Sequence, residues 1–420
     1  GLPTFNLVGM PETAVRESKD RVRGALVSSG FEWPQSRITV SLGPAEMRKT
    51  GGRFDLAVAV GILAANREFP TVAVRDVEIY GELALDGTLR AVPGLLPSVI
   101  KARKAGRQVI VPRDNAAEAM LARATVFAAT DLREVADHLA GRAPLQPGEA
   151  APLTARSRRY AELLDVRGQQ SAKRALEIAA AGFHNLLLIG PPGTGKSMLA
   201  RRLPGILPPM SEQEALDTAS VCSIAGAPVA PGDWLGRPFR SPHHTASAAA
   251  LVGGGRTLSP GEISRAHNGV LFMDELPEFN RTVLEALREP LETGSVRIAR
   301  AGAQADFPAR FQLVAAMNPC PCGYLGDEKS DCRCSRDRVV AYRNKVSGPL
   351  LDRIDLHVEV LRPSTAVLRD GEPGAECTAA VARRVAQARQ IGAERSGIPN
   401  ALLEGDALAE TCPLDDTCWA

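Results

Sequence analysis

A glycine-rich loop, set between an apolar run and a helical pattern, limits the possible folds of this chain more than any other stretch. Leu186–Ile189 is wholly apolar, as a strand buried on both faces of a sheet should be. The next residues, Gly190-Pro-Pro-Gly-Thr-Gly-Lys-Ser197, match the pattern G-x-x-x-x-G-K-[ST], and a helical pattern follows over 198–203. A strand, this loop and a helix in that order predict a phosphate-binding loop in an α/β fold.

The residue types of this phosphate loop (residues 190–197) fit a nucleoside triphosphate. Its glycines let backbone N–H groups turn towards phosphate oxygens, and the start of the helix adds a positive dipole end. Lys196 is expected to reach the β- and γ-phosphates, and the Ser197 hydroxyl is expected to bind Mg²⁺. We therefore expect ATP and Mg²⁺ as ligands. The predicted nucleotide-binding residues are Gly190, Pro191, Pro192, Gly193, Thr194, Gly195, Lys196, Ser197 and Asp274.

Two further predicted strands end in polar residues. The apolar run 270–273 delivers Asp274 and Glu275, which we expect to hold Mg²⁺ through water and to polarise the attacking water, respectively. The run 311–316 leads to Asn318, whose amide either orients that water or forms a turn before Pro319. A helix is predicted over 280–292. Strands alternating with helices predict an α/β class with a parallel sheet flanked by helices on both sides.

An arginine between carboxylates occurs in Leu350-Leu-Asp-Arg-Ile-Asp355. Arg353 has two interpretations. It belongs either to a surface ion pair, which is worth little, or to an arginine finger that acts on the nucleotide of a neighbouring subunit. The residues alone leave both open.

Four of the eight cysteines cluster in a C-x-C…C-x-C pattern within residues 318–336, the cysteine loop. Four thiolates fit a structural tetrahedral zinc site, although this spacing is tighter than the usual C-x₂-C. The alternative is a loop of reduced or redox-active thiols. A basic flank with a single opposing carboxylate, Asp337, follows and is suited to DNA phosphates. The four cysteines are Cys320, Cys322, Cys332 and Cys334, and the basic flank is Arg333, Arg336, Arg338, Arg343 and Lys345.

Adjacent histidines, His243 and His244, lie in a second glycine-rich and basic region. Because neighbouring side chains point in different directions, a shared metal is not expected. The region either contacts nucleic-acid phosphates or lies near a subunit interface or the nucleotide, and the sequence does not decide between these. The arginines concerned are Arg237, Arg240, Arg256 and Arg265.

The composition of the chain and the positions of its proline-containing segments suggest several domains in a cytoplasmic protein. The 50 lysines and arginines nearly balance the 48 aspartates and glutamates, which excludes a polybasic coat protein or an acidic disordered chain. The longest apolar run, residues 56–65, is too short to span a membrane, and no signal peptide opens the chain. We predict an α+β domain over 1–140, a proline-containing linker over 141–157 and the α/β core over 158–362. Residues 363–420 are predicted to be a second linker and the start of a helical domain.

Several blocks together resemble the ComM/YifB family of AAA+ ATPases, which are related to the magnesium-chelatase motor subunit. The resemblance covers nearly the whole chain. It implies a homo-oligomeric ring, usually a hexamer, with nucleotide at the subunit interfaces. It also implies a DNA branch-migration helicase that acts on recombination intermediates in natural transformation. By this resemblance Asn318 is the sensor 1 residue and Arg353 is the arginine finger. The blocks are residues 190–197, 237–245, 260–264, 270–279 and 318–324.

The two ends of the chain resemble the corresponding domains of this family but differ from them at several positions. Residues 1–140 resemble its Lon-protease-like domain of the ribosomal-S5 type. Gly51-Gly-Arg-Phe-Asp-Leu-Ala-Val-Ala-Val-Gly61 has no serine, and Leu96 occupies the expected lysine position, so proteolysis is not expected. The chain starts at Gly1 rather than Met and ends within a helical pattern. We therefore expect an incomplete C-terminal helical lid and, with it, weaker ATP binding or ring closure.

Three functions fit this sequence. The first is an ATP-driven DNA motor. The second is a magnesium-chelatase-like motor for metal insertion into tetrapyrroles, and the third is a nucleotide-gated scaffold that binds DNA without moving it. The domain over 1–140 and the cysteine loop favour DNA over metal insertion. The presence of Glu275 favours hydrolysis over a passive scaffold.

Overall fold

The computed structural model describes residues 4–47, 49–148, 160–255, 258–300, 303–327, 329–370 and 375–413. The chain divides into two compact units. The first consists of Gly1–Arg156 and Cys222–Trp234, and the second of Ser157–Val221 and Leu235–Ala420. None of the helices in the described ranges combines the length and the apolarity that crossing a bilayer requires.

The first unit mixes short strands with helices. Strands β1 and β2 pair in parallel, β3, β6 and β7 form a parallel sheet, and β4 and β5 form an antiparallel pair. Ile38 and Val40 share the half-buried face of β2. Its strands are β1 (Phe5–Val8), β2 (Ile38–Ser41), β3 (Val77–Ile79), β4 (Glu82–Leu83), β5 (Leu89–Arg90), β6 (Gln108–Pro112) and β7 (Val126–Ala129). Its helices are α1 (Thr13–Arg16), α2 (Ser18–Ser28), α3 (Asp55–Ala65), α4 (Leu96–Lys104), α5 (Ala116–Met120) and α6 (Leu132–Leu139).

The core of this unit forms around α3. Eight of the eleven residues of α3 are buried, because it is apolar on nearly every side. Its one buried carboxylate, Asp55, pairs with Arg21 at 2.7 Å. Part of the predicted linker is attached to this unit, since the Gly148 N–H donates to the carbonyl of Val126 at 2.8 Å. The rest of that linker, from residue 149, lies outside the described residues.

The second unit contains a five-stranded parallel sheet in the order β16-β8-β15-β12-β9. Two antiparallel pairs, β10–β11 and β13–β14, stand apart from the sheet. The sheet strands are β8 (Leu186–Ile189), β9 (Phe239–Arg240), β12 (Val270–Met273), β15 (Gln312–Met317) and β16 (Leu356–Glu359). The paired strands are β10 (Gly253–Gly254), β11 (Ser259–Pro260), β13 (Ser295–Arg300) and β14 (Ala303–Pro308).

Helices cover both faces of this sheet, as predicted. Alternate residues of β12 enter opposite cores, since side chains alternate along a strand. Leu271 and Met273 pack in one core with Val283, while Val270 and Phe272 pack in the other. The helices are α7 (Gln170–Gly182), α8 (Lys196–Ala200), α9 (Leu203–Ile206), α10 (Glu212–Ile224), α11 (Ala248–Val252), α12 (Glu262–Arg265), α13 (Arg281–Glu285), α14 (Arg288–Thr293), α15 (Arg336–Arg343), α16 (Gly348–Leu351), α17 (Thr365–Asp370), α18 (Thr378–Ser396) and α19 (Gly405–Thr411).

The single helix predicted over 280–292 is wrong, since the structure has α13 and α14 in its place. Pro290 explains the break. Proline lacks an N–H to donate to the carbonyl four residues earlier, at Ala286, and its ring clashes with that carbonyl. A proline is tolerated in the first turn of a helix, and Pro290 is the third residue of α14.

Helix α18 packs on the second unit. Its Val381 and Val385 are buried in the same core as Leu176 of α7 and Leu203 of α9. This helix lies within residues 363–420, where the start of a helical domain is predicted. Residues 371–374 and 414–420 lie outside the described residues, including the predicted C-terminal end of the lid.

Candidate nucleotide site

The sheet order brings three strand ends together. β15 lies between β8 and β12, with Met317 paired to Ile189 and Ala315 paired to Met273. The residues that follow these strands are the phosphate loop, Asn318 and Asp274. All lie at the carboxyl edge of the sheet, where parallel α/β folds bind ligands.

The phosphate loop depends on two glycines. Gly195 has φ +93°, a left-handed conformation that side chains disfavour. A Cβ atom on Gly190 would lie 2.2 Å from the carbonyl oxygen of Val360, so only glycine fits there. The Gln169 amide donates to the Thr194 carbonyl at 3.0 Å and supports the loop from outside. Gln169 is not predictable from the sequence, because no local pattern marks this contact.

Lys196 is held inside the loop. Its Nζ donates to the carbonyls of Gly190 at 2.6 Å and Pro191 at 2.8 Å, and to Asn318 Oδ1 at 3.2 Å. The residue is only 8% exposed. Burial lowers the pKa of its ammonium group to about 8, and the carboxylate of Asp274 opposes this shift. A buried cation with this arrangement is suited to bind phosphate.

The two predicted magnesium ligands are in direct contact. Ser197 Oγ donates to Asp274 Oδ2 at 2.7 Å. A hydroxyl and a carboxylate are the oxygen donors that Mg²⁺ binds beside substrate phosphates. The donor set therefore fits Mg²⁺, which Ser197 and Asp274 would hold.

Glu275 has an unusual backbone and one side-chain partner. Its φ is +54°, rare for a residue other than glycine. Its Oε2 lies 3.1 Å from Nδ1 of His244. The neighbouring His243 contacts Thr245 at 2.8 Å instead. The sequence left open whether the histidine pair contacts nucleic acid or lies near a subunit interface or the nucleotide, and this contact favours the last of these.

Arg353 is not brought to the phosphate loop of its own chain. It precedes β16, and Asn185, which precedes β8, donates to its carbonyl oxygen at 2.8 Å. Arg353 is therefore at the amino edge of the sheet. Asn185 and Gly190 lie at opposite ends of β8. At roughly 3.3 Å per residue, they are about 16 Å apart. The guanidinium is paired with Glu292.

The cysteine loop gathers its four sulfur atoms. All four lie within 4.8 Å of one another, and Cys322 Sγ is 3.4 Å from Cys320 Sγ and 3.6 Å from Cys332 Sγ. Tetrahedral zinc with Zn–S distances of 2.3 Å needs sulfurs about 3.8 Å apart. Backbone N–H groups of Tyr324 and Arg333 lower the pKa of Cys322 to about 6, which favours its thiolate. Although a backbone N–H lowers each of them, desolvation and the neighbouring sulfurs raise the pKa values of Cys332 and Cys334, so a bound metal would have to displace their protons. The donor set therefore fits zinc.

The cysteine loop also touches the phosphate loop. Gly323 has φ +87°, and a Cβ atom there would lie 2.7 Å from Cδ of Pro192. The two loops are thus in van der Waals contact. Sequence order alone did not predict this.

The arginines near the histidine pair are neutralised within the protein. Arg237 pairs with Glu214 at 3.3 Å, and Arg240 and Arg265 both pair with Glu262, at 2.6 and 2.8 Å. Arg256 lies outside the described residues. These pairs argue against nucleic-acid binding by the described arginines of this region.

Part of the basic flank is exposed. Its members Arg333, Arg336 and Arg338 are exposed and make no ion pair with any described residue. By contrast, Arg343 donates to the carbonyl of Pro319 and Lys345 pairs with Glu278.

Known protein families match two separate segments of the chain. Residues 162–368 match the family model described as magnesium chelatase, subunit ChlI, and residues 1–115 match subunit ChlI of Mg-chelatase. The YifB protein of Salmonella typhimurium is 48% identical over 427 residues, covering 100% of this chain and 83% of the relative. The competence protein ComM of Haemophilus influenzae is 49% identical, covering 99% and 82%. The magnesium-chelatase 38 kDa subunit of Rhodobacter capsulatus is 29% identical, covering 53% and 61%.

The parallel sheet, the phosphate loop and these matches define a AAA+ protein of the magnesium-chelatase class. Within that class the similarity is not restricted to the sheet, since the YifB and ComM relatives match the chain over essentially its full length. The chain belongs to the YifB/ComM family.

Proposed function

We propose that this protein is an ATP-driven DNA motor that works in the cytoplasm as a homo-oligomeric ring. One observation carries the proposal. The phosphate loop and Glu275 lie at the carboxyl edge of the sheet, whereas Arg353 lies at the amino edge. A complete hydrolysis site then needs two subunits, and a closed ring, with six subunits as the leading number, supplies such a site at every interface.

The residues of one chain divide the work of ATP hydrolysis. Lys196 binds the β- and γ-phosphates, and Ser197 with Asp274 binds Mg²⁺, which neutralises phosphate charge when bound. Glu275 polarises the attacking water. Asn318 holds Lys196 at 3.2 Å and extends from the neighbouring strand, where its amide orients the water against the γ-phosphate.

Arg353 acts on the neighbouring subunit. Its pairing with Glu292 is half-exposed, so little stability is lost when the arginine leaves this partner for a phosphate. An arginine supplied in trans stabilises the charge that develops on the transferred phosphoryl group. This explains an arginine so far from the phosphate loop of its own chain.

DNA is the proposed substrate, in single-stranded or branched form. The relative from Haemophilus influenzae is named a competence protein, and the family resemblance implies a role in natural transformation. Branch migration of recombination intermediates in natural transformation is the specific activity we propose. The exposed Arg333, Arg336 and Arg338 offer cations for phosphates. The Lon-protease-like first unit, lacking serine in residues 51–61, serves assembly or DNA engagement.

A second candidate is a metal-insertion motor that acts on tetrapyrroles. The magnesium-chelatase family match over residues 162–368 favours it. A scaffold that binds DNA without moving it is the third, and the intact Glu275 opposes it. For the cysteine loop we propose one structural zinc ion held by the four thiolates.

The test is ATP hydrolysis measured without DNA, with single-stranded DNA and with a three-way junction. We expect DNA to stimulate hydrolysis, the junction most strongly, and Glu275→Gln to abolish it. Changing Arg333, Arg336 and Arg338 to Glu should weaken DNA binding and flatten its salt dependence, since each lost phosphate contact lowers the slope by about one. Asp337→Asn is the matched control, which adds no negative charge. Hydrolysis that DNA does not change would contradict the DNA motor.

A further inference from the structure

The pairing of two strands places His244 opposite Glu275. Strands β9 and β12 run in parallel, and Arg240 pairs with Leu271. His244 comes four residues after Arg240, and Glu275 comes four residues after Leu271. The two segments that follow these strands stay in the same register. As a result, Nδ1 of His244 lies 3.1 Å from Oε2 of Glu275.

Neighbouring contacts fix the segment that carries His244. Arg240 makes two hydrogen bonds to the carboxylate of Glu262, at 2.6 and 2.7 Å, which hold the end of β9. The His244 ring meets the buried ring of Phe279 edge-on, at 6.4 Å between centroids and 85° between planes. The imidazole is therefore held between the end of β9 and the segment that follows β12.

Glu275 needs such support. Its backbone has φ +54° and its side chain is 55% exposed. Within the described part of the chain, His244 is the one side chain that forms an ion pair with its carboxylate. Because an ionised carboxylate only accepts hydrogen bonds, an attractive contact requires the proton on Nδ1 of His244.

A purely stabilising role does not explain the contact. His244 is 34% exposed and Glu275 55% exposed, and pairs this exposed contribute little to folding. A carboxylate that must meet a water molecule at a defined position gains more from being oriented, since a misplacement of about 1 Å costs on the order of 100-fold in rate.

We propose that His244 is a positioning residue for hydrolysis, whose Nδ1 orients the Glu275 carboxylate towards the attacking water. The inference rests on the proposed ATPase function and assigns a role to His244, one member of the histidine pair. No hydrogen bond or ion pair joins His244 to the described residues of the phosphate loop, so we expect its removal to affect turnover and leave binding intact.

The experiment measures kcat and the Kd for ATP in the full chain and four variants. His244→Ala should lower kcat on the order of 10- to 100-fold, with Kd unchanged within about twofold. His244→Asn restores much of kcat, because an Asn amide N–H occupies nearly the position of Nδ1. His243→Phe, which keeps an aromatic ring beside His244 and removes only the contacts to Thr245, is the control and should match the parent. Glu275→Gln is the fourth variant and should bind ATP without hydrolysing it.

Three results would overturn the inference while leaving the proposed function intact. They are an unchanged kcat in His244→Ala, a Kd that weakens as much as kcat falls, and an Asn variant no faster than the Ala variant. A parent protein without ATP hydrolysis, or an active Glu275→Gln variant, would instead overturn the proposed function and this inference with it.

Discussion

Raising the pH should weaken nucleotide binding through a single group, Lys196. Burial lowers the pKa of its ammonium group from 10.5 to about 8 in the free protein. Bound phosphates return this pKa towards its ordinary value, because they place negative charge beside the ammonium group. Binding therefore favours the protonated lysine. Affinity is full below pH 8 and falls as the pH rises through 8.

The size of the effect follows from two pKa values of Lys196, the ordinary 10.5 and the value of about 8 in the free protein. Between pH 7.5 and 9 the affinity should fall about eightfold, and the limiting loss of about 300-fold is reached only above the pKa of the bound as well as of the free lysine. The assay is titration with a non-hydrolysable ATP analogue at constant ionic strength and saturating Mg²⁺. Lys196→Arg is the control, since arginine keeps its charge throughout this range and its affinity should not change with pH.

Glu275→Gln provides a second test, which is needed if Lys196→Arg does not bind the ATP analogue. Asp274 and Glu275 both raise the pKa of Lys196. Glu275→Gln should therefore move the fall in affinity to a lower pH. A parent affinity that stays constant from pH 7.5 to 9, or an equal decline in Lys196→Arg, would refute the assignment of Lys196.

Three further predictions concern Glu275 and the cysteine loop. Near pH 7, Glu275→Gln should bind ATP as the parent does and hydrolyse none, and a rate near the parent's in a phosphate-release assay would place the base elsewhere. Protein purified without chelators should carry about one zinc per chain by elemental analysis, and removal of this zinc should lower turnover more than ATP affinity. Metal-free protein at that stage would contradict the zinc site. Gly323→Ala should lower stability by about 1–3 kcal/mol and weaken ATP binding, because its Cβ would meet Pro192 at 2.7 Å and its φ is +87°. Gly326→Ala, with φ +80° and nothing within 4 Å of the added Cβ, is the matched control in thermal unfolding and should leave ATP binding unchanged.

Local sequence patterns predicted the sheet of the second unit well. The strands β8, β12 and β15 are buried on both faces, so their apolar runs stand out from the flanking polar residues. The polar residues at their ends then meet because parallel strands share an edge. The prediction of a single helix over 280–292 was wrong. The reason is visible in the sequence, since Pro290 cannot continue a helix.

Contacts between distant residues could not be predicted in this way. His244 and Glu275 are 31 positions apart, and their contact depends on the register between β9 and β12. The contact of Gly323 with Pro192 likewise depends on how two loops fold over one sheet edge. Neither residue pair leaves a periodic signal in a single sequence.

The trans action of Arg353 is the central claim, and a mixing experiment tests it most directly. Arg353→Ala alone should bind ATP and lose on the order of 10³-fold or more in hydrolysis. Lys196→Ala alone should not bind. In an equal mixture of the two, about a quarter of the interfaces join an intact Lys196 to an intact Arg353 of the next subunit. Hydrolysis should therefore recover to about a quarter of the parent rate, once fluorescence energy transfer shows that subunits exchange. Exchange without any recovery, or full activity of Arg353→Ala alone, would contradict the account.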